Sequence, residues 1–457
     1  MKKLKNDDLI IKNARHIHLV GIGGSGMCPI AELLLSKGYI VSGSDRAESD
    51  NTNKLKSLGA KVFIGQKPEN IEGADIVCYS AAVHSDNPEL VAASKKGIPT
   101  FERSKLLGAI TRFYNNTIGV AGTHGKTTVS SMITQILLLN KKNPSAVIGG
   151  KLPLVDSACV FGSSETLVCE SCEFVDSFLE FSPDVSVLLN IDDDHLDYFK
   201  TMDNLVASFS KFCAKSQTCY YNGDDHLCKK AVAGLNIEAV SYGFSEDNVY
   251  YPANIIPGKF GFCFDVMKQG EKIGHLDMHV PGRHNIYNGL VSFAVCFNMG
   301  VSAEGINEAL KKFTGAGRRF QFIGEVNGVT VVDDYAHHPT EIAATLSAAK
   351  SLDYKKVITV FQPYTYSRVA LLKDGMIKSL SLADKVFLTP IVASREENIY
   401  GVKSEDIAER LPDGKVIADY EELASEMAEA AESGDIIITM GAGDIFKVAH
   451  MILEKLR

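Results

Sequence analysis

The sequence predicts an α/β protein built of three domains in series. Short apolar runs of strand length alternate with helix-like stretches from residue 17 to residue 439, the pattern of parallel sheets wound with helices. Two of these runs end in glycine turns that open directly into helix-like segments, at Gly21 and at Gly122. Breaks near residues 113 and 313 divide the alternation into blocks of domain size.

In the first block, 1–113, strands are expected at 17–20, 40–42, 61–64 and 75–79, with a helix over 30–37. This reads as a Rossmann-like parallel sheet. The second block, 114–313, opens with a strand at 117–121 and a helix over 129–139. It continues with strands at 166–169 and 185–189 and an irregular stretch, 241–282, that reads as antiparallel ribbons before a helix over 285–299. The expectation is a P-loop ATPase-like domain with a mixed sheet. The third block, 314–457, has strands at 329–332, 357–361, 385–388 and 435–439. Its last strand runs into Gly441-Ala442-Gly443-Asp444, and the block reads as a second Rossmann-like domain.

At 457 residues, 45% hydrophobic and 23% charged, the chain has the composition of a globular protein with several cores rather than a disordered one. A net charge of -9 argues against a nucleic-acid partner, which selects for excess Lys and Arg. The opening Met1-Lys2-Lys3-Leu4 lacks the apolar core of a signal peptide, and no apolar run reaches membrane-span length. The expectation is a cytoplasmic protein without stable membrane insertion; its oligomeric state is left open. Ten scattered cysteines read as reduced, small hydrophobes. Cys169 and Cys172 have redox or zinc-knuckle spacing, but no second pair matches them.

Gly122-Thr123-His124-Gly125-Lys126-Thr127-Thr128 carries the strongest chemistry. Glycines let backbone N–H groups close on phosphate oxygens, and the following helix adds its positive N-terminus. Lys126 can reach the β- and γ-phosphates of ATP, and the Thr127 hydroxyl can ligate Mg²⁺. The loop is shorter than the usual pattern, since Val120 stands where that pattern has its first glycine. A glycine turn without a ligand is the alternative. Gly21-Ile22-Gly23-Gly24-Ser25-Gly26 has the form of a dinucleotide fingerprint, with Asp45 placed for a ribose hydroxyl. NAD is the default ligand of such a turn, and tight packing with no ligand is the other reading. Beside a separate loop at Lys126, it suggests two phosphorylated ligands, a nucleotide-linked substrate and ATP.

His195 among Asp192, Asp193, Asp194 and Asp197 follows a buried strand, as a Mg²⁺ neighbourhood or an acidic solvated turn. Glu170 follows its strand in the same way, as a ligand or a cap. Asn285 and Asn288 lie one turn apart, able to face a base edge or to act as cap and surface amides. Asp333 and Asp334, His337 and His338, and Glu341 cluster before a helix start. Arg368 completes a candidate cationic site for carboxylate or phosphate. Arg318 and Arg319 form a similar site or an ordinary solvated pair.

Present in one chain and in this order, these motifs resemble the Mur ligase family over essentially the whole length. The resemblance rests on residues 16–27, 122–128, 194–197, 317–321 and 333–341. It implies a UDP-sugar on the first domain, ATP with Mg²⁺ on the second and an incoming amino acid at the third. The implied reaction joins L-alanine to the lactyl carboxylate of UDP-N-acetylmuramate through an acyl phosphate, in peptidoglycan synthesis. Carried onto this chain, Gly23, Gly24, Ser25 and Gly26 face the UDP diphosphate, and Ser80 with residues 81–83 lines that pocket. Gly122 to Thr128 form the ATP loop with Lys126 on the phosphates; Thr127 and Glu170 ligate one Mg²⁺ and His195 a second. Asn285 and Asn288 turn toward adenine, with Arg319 among the cofactor residues, while His337 and Arg368 orient the amino-acid carboxylate or stabilise phosphate charge.

Two positions depart from parts of the family. Phe209 stands where several Mur ligases carry a carbamylated lysine, which the alanine-adding branch also lacks. Tyr364-Thr365 stands where many alanine-adding enzymes resemble His-Arg. Cys169 and Cys172 flank Glu170, either as structural thiols or as a pair whose oxidation displaces that carboxylate. A murein-peptide ligase, an NAD-dependent dehydrogenase and a non-catalytic UDP-sugar binder are the competing readings.

Overall fold

Three sheets organise the computed structural model, which describes residues 4–80, 83–258, 260–394 and 396–457 and, within them, not the side chain of Asp197. The first sheet has five strands: β1 (His16–Val20), β2 (Ile40–Asp45), β3 (Lys61–Ile64), β4 (Ile76–Tyr79) and β5 (Thr100–Glu102). They are parallel, in the order β3-β2-β1-β4-β5. Central β1 reads His-Ile-His-Leu-Val and is buried on both faces, which is why an almost continuous apolar run marks it. Helix Cys28–Ser36 follows its glycine turn with Pro29 in the first turn, where a missing N–H costs nothing.

The second sheet begins with β6 (Asn116–Ala121), β7 (Ser145–Leu152), β8 (Ser157–Val160) and β9 (Thr166–Glu170). It continues with β10 (Val185–Leu188), β11 (Thr218–Asn222), β12 (Glu238–Tyr242), β13 (Tyr250–Pro257), β14 (Phe262–Lys268) and β15 (Glu271–Met278). The order is β15-β14-β13-β12-β11-β10-β6-β9-β7-β8. β7 and β8 pair antiparallel on an otherwise parallel core, so the sheet is mixed as expected. The step from β12 to β13 is parallel, at Tyr242 and Tyr250, where ribbon pairing was expected to be antiparallel. β6 lies between β10 and β9, with Leu188 beside Ala121 on one side and Glu170 beside Val120 on the other. That register decides which side chains meet the loop leaving β6.

The third sheet contains β16 (Gln321–Val326), β17 (Val329–Asp334), β18 (Val357–Gln362), β19 (Lys385–Leu388), β20 (Lys415–Val416) and β21 (Ile436–Gly441). Its order is β16-β17-β21-β18-β19-β20, parallel except for the antiparallel edge strand β16. Every residue of β17, β18 and β21 is buried, matching their Val- and Ile-rich sequences.

By compactness the chain divides into two units. One comprises Met1–Tyr251, Met267–Ile273 and Leu290–Ala309, and the other Pro252–Val266, Gly274–Gly289 and Leu310–Arg457. Within the first unit, Arg112 holds the first sheet's helix layer to the second block. Its guanidinium donates to both Asp8 oxygens at 2.7 and 2.6 Å and to the Glu180 carbonyl at 2.7 Å. Among the described residues, no helix is long and apolar enough to cross a membrane.

Candidate active site

The loop after β6 is built to present backbone N–H groups. Gly122 and Gly125 adopt φ of 137° and 87°, a region that side chains avoid, and helix Lys126–Leu139 starts immediately afterwards. Asn190, just beyond β10, holds this loop from one side. Its side-chain oxygen accepts from His124 N at 2.8 Å, its amide donates to His124 O at 3.0 Å, and its carbonyl accepts from Thr123 N at 3.0 Å. Asp192 continues the wall: its N–H donates to Thr123 Oγ1 at 2.9 Å, and its carboxylate lies 2.9 Å from His124 Nε2.

The other wall comes from β9. Lys126 Nζ lies 2.9 Å from Glu173 Oε2 and donates to the carbonyls of Gly122 and Thr123 at 2.5 and 3.0 Å. Burial works against the ammonium charge, but Glu173, Cys172 and Glu170 together raise the Lys126 pKa above the ordinary lysine value. Lys126 therefore stays charged. Thr127 is buried in the first helical turn, and Thr128 beside it is half-buried.

Glu170 ends β9 with its carboxylate seated over β7. Gly149 N donates to Oε2 at 2.8 Å, and a Cβ on Gly149 would stand 2.3 Å from Oε1. Only glycine leaves that seat open. His195 follows Asp194, adopts φ 57°, and packs its ring 4.9 Å from that of Phe174, with Nε2 3.5 Å from Asp194 Oδ2.

Two thiols stand beside Glu170. Cys169 is fully buried and burial pushes its thiol up to about 12; Cys172 is pushed up to about 11 by burial and by Glu173. Thiols protonated at neutral pH are poor nucleophiles, which favours the structural over the oxidation reading of this pair.

In the first sheet, the turn from Gly21 to Gly26 leaves β1 as expected. Gly23 N donates to Asp45 Oδ2 at 2.8 Å, and Asn51 donates to Gly23 O at 2.8 Å. Asp45 thus also fastens the turn whose ligand it is expected to meet. Gly24, Ser25 and Gly26 are exposed, and Ser80 Oγ lies beside Gly21, 3.7 Å from where a Cβ would be. Residues 81 and 82 of the expected pocket lie outside the described residues. Arg103 sits at Gly26, its guanidinium 3.2 Å from a Cβ position there, and places a cation beside this turn.

The remaining expected residues lie in the second unit. Asn288 donates to Asn285 Oδ1 at 2.9 Å and Asn285 to Pro281 O at 2.6 Å, so these buried amides first brace one another. His338 is the N-cap of helix Pro339–Lys350, with Glu341 closing a capping box. His337 Nδ1 lies 3.0 Å from Tyr335 O and 3.4 Å from Glu341. Arg318 and Arg319 both lie over the Tyr335 ring, and Arg318 is also committed to Asp333 and to the Gly441 and Gly443 carbonyls. Arg368 sits in the first turn of helix Tyr366–Leu380.

Glu173, Asn190, Asp192 and Arg103 escaped the sequence reading as loop partners. Their signal was present, since polar residues directly after buried strands flank a nucleotide loop in α/β sheets. Which strands would flank β6 was not.

Comparison with known proteins agrees with this geometry. Residues 16–115 match the model of the Mur ligase family catalytic domain, 120–296 the Mur ligase middle domain, and 318–443 the Mur ligase glutamate ligase domain. A UDP-N-acetylmuramate–L-alanine ligase of Caldicellulosiruptor saccharolyticus is 42% identical, over 96% of this chain and 98% of its own. One from Alkaliphilus metalliredigens is also 42% identical, over 96% and 97%. The crystal structure of the Thermotoga maritima UDP-N-acetylmuramate–alanine ligase superposes with a TM-score of 0.83 at 27% identity, covering 96% of this chain and 98% of that one. With all three family models matched in series around a phosphate loop walled by Glu173 and Asn190, the chain belongs to the Mur ligase family.

Proposed function

We propose that the chain is an ATP-dependent carboxylate–amine ligase that joins L-alanine to the lactyl carboxylate of UDP-N-acetylmuramate in peptidoglycan synthesis. The observation that carries this reading is the end-to-end match, at 42% identity over 96% of the chain, to relatives named for that reaction. In the first step a lactyl carboxylate oxygen attacks the γ-phosphorus of ATP, ADP leaves, and an acyl phosphate forms. In the second, the alanine amine attacks the acyl carbon, phosphate leaves, and the amine loses a proton.

Both steps build negative charge, so the chain needs cations and N–H donors more than a nucleophile. Lys126 leaves Glu173 for the β- and γ-phosphates, and the loop held by Asn190 offers its N–H groups. Mg²⁺ fits the donor set here: hard cations take oxygen ligands, and Thr127 offers a buried hydroxyl and Glu170 a seated carboxylate. His195 is the proposed ligand of a second ion. When bound, the metal neutralises charge on the transferring phosphoryl group.

We assign residues 1–113 to the UDP-sugar, through Gly23 to Gly26 and Ser80, with Arg103 as an added cation. Residues 114–313 hold ATP, with Asn285 and Asn288 on its adenine side and Arg319 among its contacts. Residues 314–457 hold the amino acid, with His337 and Arg368 on its carboxylate or on phosphate charge. A cytoplasmic site of action follows from the soluble nucleotide substrates. The test is phosphate release with ATP and Mg²⁺, which should require UDP-N-acetylmuramate and L-alanine together. Release with either one alone, or none with both, overturns the reading.

A further inference from the structure

A cavity of about 620 Å³ in the first unit belongs to none of the machinery above. It lies where the end of helix His284–Asn298 meets β11 and β12, and Val185, Thr218 and Glu238, which begin β10, β11 and β12, line it. The glycine loop leaves the carboxyl end of β6, which runs parallel to these strands, so the cavity lies at the opposite end of the sheet.

Donor groups converge here. Asn298 Nδ2 donates to Tyr220 Oη at 2.6 Å and to Tyr250 Oη at 3.0 Å. Each phenol brings one donor proton and the amide two, and the two contacts within the trio consume two of the four, whichever way round the amide is set. Two donors are left over, and among the described residues no further hydrogen bond joins the trio to the protein. Tyr220 and Tyr250 are 4% and 0% exposed, so these are buried donors rather than surface hydroxyls. Burial pushes the Tyr220 phenol up to about 12, which keeps its proton in place. Lys268 adds a cation, its Nζ 5.3 Å from the Tyr250 ring centroid, without a carboxylate partner among the described residues. Surplus donors and an ammonium call for a carboxylate.

Glu238 sets the other condition. Its carboxylate, at the rim, accepts from Thr218 Oγ1 at 2.9 Å and adds to the pressure on the Tyr220 phenol. A simple anion would be repelled by it, whereas a molecule carrying both charges answers both ends. Val240, Val295 and Met299 line the same cavity and give it apolar wall. We propose that this cavity binds a small zwitterion, an α-amino acid with an aliphatic side chain. Its carboxylate meets the Tyr220–Asn298–Tyr250 donors and Lys268, and its ammonium meets Glu238. The volume lies within the range of ligand pockets and leaves room for a second residue or for water.

Calorimetry on the full chain tests this with L-leucine, isocaproate, which lacks the amine, and 3-methylbutylamine, which lacks the carboxylate. L-leucine should bind, and each analogue should bind at least about tenfold more weakly. Lys268→Met and Glu238→Gln change half-buried and exposed side chains, and Tyr250→Phe keeps the buried ring. Each should weaken L-leucine at least about fivefold with the phosphate-release kcat unchanged, and Glu238→Gln should leave isocaproate binding no weaker. Absence of L-leucine binding to the parent chain at roughly 20 mM overturns the proposal. So does binding that all three variants leave intact, which would place L-leucine elsewhere on the molecule.

Discussion

Replacing Glu173 by Gln tests how the loop is held before nucleotide arrives. The Lys126 and Glu173 side chains are 12% and 2% exposed and 2.9 Å apart. Removing one charge of a buried pair typically costs about 3–5 kcal/mol, because the other is left uncompensated. Here the cost is smaller. Lys126 keeps the Gly122 and Thr123 carbonyls, Glu170 remains near enough to favour its charge, and glutamine still offers an acceptor. We expect a loss of about 1–3 kcal/mol, or a fall in Tm of about 2–5 °C. Because the Lys126 pKa is raised on folding, this contribution is complete below the ordinary lysine value of 10.5 and is lost only as pH rises through the folded value. The assay is thermal unfolding at neutral pH of the parent, Glu173→Gln, Lys126→Met and the double variant, each with and without a non-hydrolysable ATP analogue. If phosphates replace Glu173 as the partner of Lys126, the analogue erases most of the Glu173→Gln defect. By linkage its affinity then rises by about 5- to 100-fold. An equal Tm loss with and without the analogue, or weaker analogue binding, refutes the reasoning.

Gly149→Ala puts a Cβ 2.3 Å from Glu170 Oε1, so the carboxylate must leave its seat. The Mg²⁺ concentration for half-maximal activity should rise at least about tenfold with little change in Tm. Asp8→Asn breaks the fully buried contact with Arg112 and should cost about 3–5 kcal/mol by urea unfolding. The Asp8 pKa is lowered: burial opposes its charge, but Arg112 and the Lys5 N–H favour it more. Its stabilisation is therefore present above the ordinary value of 3.8 and is lost as pH falls through the folded value, a loss the variant should lack. Asp334 runs the other way: burial raises it to about 6 against the pull of Arg319, so parent stability relative to Asp334→Asn should fall by at most about 3 kcal/mol between pH 4 and 6. Arg368→Ala should raise the KM for alanine far more than that for ATP in the phosphate-release assay, and equal changes would remove its proposed role.

The strands most legible in sequence are those buried on both faces, although β3 is legible at an edge as well. β1, β9, β17, β18 and β21 announce themselves as apolar runs because each has neighbours on both sides and helices on both faces. β16 reads Gln-Phe-Ile-Gly-Glu-Val, is mostly half-exposed at an edge, and gives no run to notice. β8 lies at an edge in the same way, whereas β7 is an inner strand whose apolar run is cut short by the Gly149-Gly150 pair that leaves room for Glu170. A feature that weakens the strand signal thus serves the site.

The site divides in the same way. Lys126 and Thr127 are legible because their task depends on spacing within one turn of one helix. Glu173 and Asn190 meet that loop across separations of 47 and 66 residues, and only strand order brings them there. Had β9 and β10 not flanked β6, the same residues would have been ordinary strand-end polar groups. The rule that α/β ligands gather at carboxyl strand ends still narrows the choice. It nominates Ser80, Glu170, Asn190, Asp334 and Gln362 from a handful of strand boundaries, before any pairing is known. What it cannot supply is the partner of each. Lys126 shows why that matters: its spacing nominates it for a phosphate, and the fold adds Glu173 as the partner it holds in this structure.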